Sequence, residues 1–310
     1  MSTGRYASID VGTNSAKMTI AEISAISTTW IRDESVVARL GEGMQGTRKF
    51  LQEVPMRRNI DALKGFAEIA QRSGVSSIAA VGTAALRDAE NSDEFLRRAY
   101  DTTGIRVEVI SGEEEARLSY LAVRLDPHWS NYQELIVIDV GGGSTEVIFG
   151  QGARIVSRMS VNIGAVKLTE SILRSDPPTI TQLSNANIET GQQFERVPLG
   201  YDPHDAVVVG VGGTISNLSA MEFGMFVLPE KLHGFELTQD AIEDRMEQLA
   251  TLTIEERKRV GGLDPKRADI ILGGAILLSQ ALARLNTTKI AVSTRGLRWG
   301  VLYDRFLPKE

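Results

Sequence analysis

The 310-residue chain has no cysteine, so neither a disulfide framework nor a thiolate metal site is open to it. Histidine is almost as scarce. His128, His204 and His233 stand far apart, each beside a Pro or Gly, and read as solvated loop residues, not as a His-rich metal centre. Long hydrophobic runs are missing. The longest uncharged stretch, residues 206–221, has 16 residues and is broken by three glycines, an asparagine and two serines. A bilayer span needs about 20 apolar residues, so no membrane partner is expected. Residues 1–10 carry no basic segment leading into an apolar core; nothing there reads as an export signal, and the expected location is cytoplasmic. Excess positive charge is absent too. The 34 Lys and Arg against 40 Asp and Glu leave a net charge of −6, which argues against a nucleic-acid partner.

What is present is an ordinary globular composition, 42% hydrophobic and 24% charged, with length for two domains at roughly 100 to 200 residues each. One internal repeat organises it. Ile9-Asp10-Val11-Gly12-Thr13-Asn14-Ser15 returns as Ile138-Asp139-Val140-Gly141-Gly142-Gly143-Ser144, at a constant offset of 129 residues. Each copy is a β-branched run, an Asp, a glycine turn and a second alternating segment (16–23 and 145–150), the pattern of a strand, a tight turn and a returning strand. The first half continues with a strand over 28–39, a helix over 55–72, a strand over 77–81, a helix over 92–102, a strand over 105–110 and a helix over 112–125. The second half reads as strands over 135–139, 146–150 and 154–161 and helices over 165–173 and 180–194. A strand over 206–210, further helices, a strand over 289–293 and a helix over 296–306 follow. This alternation predicts two α/β domains, 1–126 and 127–310, divided at the loop-like stretch 126–133, with their Asp-Gly turns facing each other across a cleft.

The run from Asp139 to Glu146 carries the strongest chemistry. Gly141, Gly142 and Gly143 let a ligand approach the main chain closely, and successive N–H groups in such a turn form an anion-binding concavity. Ser144 and Thr145 add hydroxyls. Asp139 and Glu146 bracket the loop with carboxylates suited to Mg²⁺. A plain hairpin would need only one glycine. Gly12, Thr13, Asn14 and Ser15 form the matching first-half loop, with Asp10 equivalent to Asp139. Lys17 takes the place of Glu146 there and reads as a surface lysine. Gly212, Gly213 and Thr214 follow a strand and open a helix, so their N–H groups can also face an anion. Neither Gly-x4-Gly-Lys-[Ser/Thr] nor Gly-x-Gly-x-x-Gly occurs, which excludes a P-loop NTPase and a dinucleotide binder on their own motifs.

Eight ordered blocks carry a resemblance: residues 8–15, Arg39-Leu-Gly-Glu-Gly43, Gly82-Thr-Ala-Ala-Leu-Arg87, Ser111-Gly-Glu-Glu-Glu-Ala-Arg-Leu118, residues 138–146, Gly212-Gly-Thr214, Arg267-Ala-Asp-Ile270 and Gly296-Leu-Arg298. From Tyr6 to Tyr303 the chain resembles the exopolyphosphatase and guanosine pentaphosphate phosphohydrolase (Ppx/GppA) family, in a short form without the C-terminal helical module of many members. The resemblance implies an α/β fold of two ribonuclease-H-like domains of the actin and sugar kinase superfamily, flanking a cleft. It implies a hydrolase dependent on Mg²⁺ (or Mn²⁺) that releases terminal orthophosphate from inorganic polyphosphate. Guanosine pentaphosphate is the alternative substrate, and the missing module leaves that choice open; a homodimer is compatible with the reading.

Carried over block by block, the resemblance implies that Glu115 is the catalytic base and that Glu146 orients the attacking water or its metal. Asp139 and Asp10 belong to the metal site, and Arg87 contacts phosphate. Independently, Glu115 falls in the first turn of a helix, where the dipole favours its ionised form. Steps of about 100° per residue turn Glu113 and Glu114 elsewhere. Arg87 has Asp88 and Glu90 as alternative partners. Arg267 joins the phosphate-binding set from a matching block. Arg298 lies in another, with a helix-surface role equally open. A non-catalytic alarmone or polyphosphate sensor is the rival from another class, and the intact Glu115, Glu146 and Asp139 count against it.

Overall fold

The computed structural model describes residues 3–24, 27–44 and 49–308. Positions 1, 2, 309 and 310, the outer ends of the two expected domains, lie outside the described residues. The chain divides into two compact units, unit 1 from Met1–Ala122 with Leu297–Glu310, and unit 2 from Val123–Gly296.

Unit 1 runs β1 (Gly4–Val11), β2 (Ala16–Ile23), β3 (Thr28–Val36), α1 (Glu53–Arg72), β4 (Ser77–Gly82), α2 (Ala84–Asp88), α3 (Ser92–Thr103), β5 (Val107–Val109) and α4 (Gly112–Arg124), the last continuing into unit 2. Its sheet has the order β3-β2-β1-β4-β5. β1, β2 and β3 pair antiparallel, as tight turns permit, while β4 joins β1 and β5 joins β4 in parallel through helical crossovers. Ile9, Met18 and Ile20 from the strands bury against Leu63 and Phe66 of α1 and Phe95 of α3. Met56, Ile60 and Leu63 recur at helical spacing, which makes α1 amphipathic. Gly74, at φ +68°, ends that helix, with the Val75 N–H returning to the Ala70 carbonyl at 3.0 Å.

Two expected strands are shorter than the sequence pattern suggested. The one read over 28–39 stops at Val36 because Arg39 turns to φ +50° and donates its N–H to the Asn14 carbonyl at 2.8 Å. The one read over 105–110 keeps only three ladder residues. Helix α2 had no separate signal, because its five residues are too few to show a period.

Unit 2 continues with β6 (Glu134–Val140), β7 (Thr145–Gln151), β8 (Arg154–Val161), α5 (Ala165–Ser171), α6 (Ile180–Glu195), β9 (Val207–Val211), α7 (Gly213–Glu222), α8 (Pro229–Leu232), β10 (Glu236–Thr238), α9 (Gln239–Thr251), α10 (Ile254–Arg257), α11 (Ile271–Leu285) and β11 (Lys289–Val292). The sheet order is β10-β11-β9-β6-β7-β8. Taken from β8, the order β8-β7-β6-β9-β11 repeats unit 1 strand for strand and direction for direction, with β10 added antiparallel at the far edge. The sequence repeat is therefore a repeat of a whole ribonuclease-H-like α/β sheet. Helix α11, apolar around its circumference, packs against α5, α6, α7 and α9 at the centre of the unit 2 core. Among the described residues no helix is long and apolar enough to cross a membrane.

The last helix, α12 (Leu297–Phe306), belongs to unit 1, whereas composition alone assigned it to the second half. Its apolar stripe decides the matter. Trp299, Leu302 and Tyr303 bury with Ala21, Ile23 and Ala122, and Leu297 and Val301 with Val81, Ile110 and Leu118. Gly300 lies against the main chain of α4, where a Cβ would strike the Leu118 carbonyl. Gly300→Ala is expected to destabilise unit 1 by about 1–3 kcal/mol through overpacking. Thermal unfolding measures this, and an unchanged Tm would show that α12 does not seat as described.

Candidate functional site

The two Asp-Gly turns close with the same hydrogen bond. The Gly12 N–H donates to the Ser15 carbonyl at 3.1 Å, and the Gly141 N–H to the Ser144 carbonyl at 3.0 Å. Neighbouring segments take up their carbonyls in the same way. Thr13 and Asn14 accept from the Gly41 and Arg39 N–H groups, while Gly141 and Gly142 accept from Ala165 and Val166 at the start of α5, at 2.9 Å each. Gly164 packs so closely on the second turn that a Cβ would lie 2.5 Å from the Gly142 carbonyl carbon. Among the described residues, the N–H groups of Thr13, Asn14, Gly142 and Gly143 donate to no main-chain oxygen. Carbonyls clamped and amides unengaged give both turns the form of an anion-binding concavity. Thr13 Oγ1 and Asn14 Oδ1 are buried in the first turn with no hydrogen-bond partner among the described residues. Each such atom costs about 1–3 kcal/mol unless a ligand satisfies it.

Side-chain chemistry separates the twins. Across the β1–β2 pair Asp10 stands opposite Lys17, while across β6–β7 Asp139 stands opposite Glu146. Opposite charges in register support a sheet, and like charges oppose it. Glu146 is fully buried, and its Oε1 accepts the Ser160 hydroxyl at 2.6 Å. Two adjacent carboxylates suit Mg²⁺, which takes one or two protein carboxylates and keeps waters and phosphate oxygens for its other positions. Among the described residues no group of three or more His, Asp or Glu could hold a metal, so a closed protein cage is not built.

The third glycine loop adjoins this acid pair. Gly212 sits at φ +94°, and a Cβ there would lie 2.8 Å from Asp139 Oδ1. Gly213 opens α7 directly beneath the Arg267 guanidinium, leaving no room for a side chain. Burial pulls the Arg267 pKa below the ordinary arginine value, against the opposing charges of Asp264 and Asp269. Unit 2 thus brings together Asp139, Glu146, both of its glycine loops and Arg267. Two of the expected ligand hydroxyls serve the fold instead. Thr145 Oγ1 donates to the Ile163 carbonyl at 2.8 Å, and Thr214 Oγ1 to that of Val140 at 3.4 Å.

Unit 1 carries the candidate base. Ser111 Oγ accepts the Glu114 N–H and caps α4, so three glutamates occupy its first turn. They diverge as helical geometry requires. Glu113 is exposed, Glu114 pairs with Arg117 at 2.8 Å, and Glu115 is 7% exposed. Arg87 Nη1 donates to Glu115 Oε2 at 3.1 Å and to the Ile110 carbonyl at 3.0 Å. The partner of Arg87 is therefore the candidate base itself, while Asp88 is engaged by Lys49 at 3.0 Å. Arg298 braces the sheet, donating to the Met18 carbonyl at 3.0 Å and to Asp33 at 2.9 Å. Of the histidines, His128 and His204 are exposed as expected, but His233 is half-buried and faces Asp126, a partner its sequence neighbours do not reveal.

Comparison with known proteins places the fold and the family. The model of the Ppx/GppA phosphatase family matches residues 19–309. Exopolyphosphatase 2 of Mycobacterium tuberculosis is 33% identical over 298 residues, covering 92% of this chain and 91% of that protein. The solved structure of the Aquifex aeolicus member of the Ppx/GppA family is similar at 34% identity and a TM-score of 0.79, covering 98% of this chain and 97% of that one. An exopolyphosphatase from Cytophaga hutchinsonii is similar at 28% identity and a TM-score of 0.85, covering 96% of each chain.

Because Glu115 is buried against Arg87, Arg87→Ala is expected to lower stability by about 1–3 kcal/mol. Adding Glu115→Gln should recover most of that loss. A double-mutant cycle by chemical denaturation measures the coupling, and strictly additive losses would rule the pair out as a stabilising contact.

Proposed function

The chain belongs to the Ppx/GppA phosphatase family, and on that premise we propose that it is an exopolyphosphatase, releasing terminal orthophosphate from inorganic polyphosphate by attack of water with Mg²⁺ or Mn²⁺. Membership makes it a hydrolase of phosphoanhydride bonds. The observation that carries the reading is the buried, unsatisfied Thr13 hydroxyl beside the unengaged amides of its turn, a set of donors that a phosphoryl oxygen satisfies. Polyphosphate offers neither base nor sugar, so main-chain amides, an arginine fork and a metal are enough to hold it. The name of the Mycobacterium tuberculosis relative supports the same choice.

In this reading Glu115 takes the proton of the attacking water. Arg87 fixes the Glu115 carboxylate through Oε2 and presents the rest of its planar fork to a phosphoryl oxygen. The amides of residues 12–15 and 141–144 and of the Gly212-Gly213 loop accept phosphate charge, with Arg267 beside the last. Asp139 and Glu146 would hold the metal, with Glu146 also orienting water; Asp10, expected as a further ligand, joins no group of three acids that could hold it among the described residues. When bound, the metal supplies charge neutralisation for the acid pair and the phosphate oxygens. Hydrolysis of this kind is mostly a matter of positioning and neutralising charge around phosphorus.

The deciding assay compares orthophosphate release from polyphosphate, guanosine pentaphosphate and ATP, with and without Mg²⁺. Polyphosphate is expected to be cleaved fastest; preference for guanosine pentaphosphate would identify the other activity of the family, and no release at all would mark a sensor. Glu115→Gln should reduce turnover by about 10²- to 10⁴-fold, the usual weight of a general base, while polyphosphate still binds. Glu113→Gln should be close to wild type, and equal losses at the two positions would overturn the assignment. Mg²⁺ should raise the Tm of the wild type but not of Glu146→Gln. Full turnover in excess chelator would remove the metal role from the acid pair.

A further inference from the structure

Asp126, His233 and Arg295 lie outside every motif block. The chain enters unit 2 at Val123 and leaves it after Gly296, so Asp126 stands just inside the entry and Arg295 just before the exit. Asp126 is 2% exposed, and its Oδ1 accepts the His128 N–H at 3.0 Å. Its buried Oδ2 makes no hydrogen bond among the described residues, but it makes ion-pair contacts at 3.4 Å with His233 Nε2 and at 3.4 Å with Arg295 Nη1. On the other side of the ring, His233 Nδ1 accepts the Thr294 N–H at 3.3 Å. A ring nitrogen that accepts carries no proton, so the proton of the neutral ring sits on Nε2, facing Asp126. Next to the ring, the Gly234 N–H donates to the Val292 carbonyl at 2.8 Å, which ties this turn to the end of β11.

The exit segment in turn backs the third glycine loop. The Ser293 N–H donates to the Gly210 carbonyl at 2.8 Å, and the Ser293 hydroxyl holds the Arg295 carbonyl at 3.0 Å. Gly296 lies flat on the end of β9, where a Cβ would meet Val211 Cβ at 3.4 Å. Contacts therefore run without a break from Asp126 through His233 and Arg295 to residues 293–296, and from there to Gly210–Gly212.

We propose that Asp126, His233 and Arg295 are positioning residues, which fasten the exit segment 293–296 to the entry segment of unit 2 and thereby hold the Gly212-Gly213 loop, with Arg267 on it, in the geometry that receives a phosphoryl group. The inference rests on the phosphate-binding reading of that loop. The charge state of the cluster fits it. Burial would raise the Asp126 pKa, but His233, the His128 N–H and Arg295 outweigh burial and hold it below the ordinary carboxylate value. Asp126 is therefore ionised at neutral pH, and the stability it lends is present above the ordinary carboxylate pKa and lost as pH falls through the lower folded value.

Three variants test this: Asp126→Asn, His233→Ala and His233→Asn, the last keeping an acceptor near the place of Nδ1. Amide hydrogen exchange is followed at residues 210–214 and 293–296, with the β6 residues 134–140 as reference, and KM and kcat are measured with polyphosphate. Asp126→Asn and His233→Ala should speed exchange in the two segments and not in β6. They should raise KM by about three- to tenfold, the weight of one hydrogen bond, with kcat nearly kept. His233→Asn keeps the Thr294 contact but does not reach Asp126, so it should match Asp126→Asn and be milder than His233→Ala. Exchange that rises uniformly through unit 2, or that leaves 210–214 unchanged, would overturn the proposal, as would a His233→Asn variant that behaves as wild type while Asp126→Asn does not. Exchange is read without substrate, so a wild type that cleaves no phosphoanhydride would sink the functional reading while the fastening is still decided.

Discussion

One main-chain hydrogen bond, from the first glycine of an Asp-Gly turn to the serine three residues on, sets the geometry on which both units depend. It reverses the chain between two strands, which fixes the register that places Asp10 opposite Lys17 and Asp139 opposite Glu146. It also leaves the intervening carbonyls for outside clamps, residues 39–41 in one unit and the first turn of α5 in the other. Once the carbonyls are held from behind, the amides point the other way. Amides exposed in this way follow from ordinary main-chain bonding and need no dedicated basic side chain.

The two copies show how one scaffold takes on different tasks through few substitutions. A lysine opposite the aspartate gives a locally neutral pair that is stable by itself, whereas a glutamate there gives a like-charged pair whose repulsion a cation relieves. The part-buried ion pair of Glu115 and Arg87 has no counterpart in the repeated motif, because it comes from α2 and α4 of unit 1 and not from the turn. The repeat carries the strands and the turn, and the side chains that distinguish the two units lie opposite or outside it.

Much of this was legible in the sequence, for identifiable reasons. Glycine turns and alternating strands are local patterns, so the repeat, the strand order of its first three members and the divergence of Glu113, Glu114 and Glu115 could be read directly. Long-range partners could not. Nothing near Arg87 announces that it pairs with Glu115, nothing near His233 points to Asp126, and the Thr145 hydroxyl looked available until its bond to the Ile163 carbonyl was seen. The placement of α12 failed for the same reason, since an apolar stripe shows that a helix is buried but not against which sheet. The family resemblance set out which distant blocks to compare, and the family it pointed to is the one the chain belongs to.

The return of α12 to unit 1 makes unit 2 an insertion between the body of unit 1 and its last helix. That order matters during synthesis, which proceeds from the N-terminus. Every residue of unit 2 leaves the ribosome before the stripe of Leu297, Trp299, Val301, Leu302 and Tyr303 that covers one side of the unit 1 sheet. The first sheet to be made is thus the last to be completed. Until then Ala21, Ile23, Val81 and Leu118 lack their cover, and it is unit 1, despite its head start, that depends on a nascent chain being finished and on whatever shields an apolar face in the meantime.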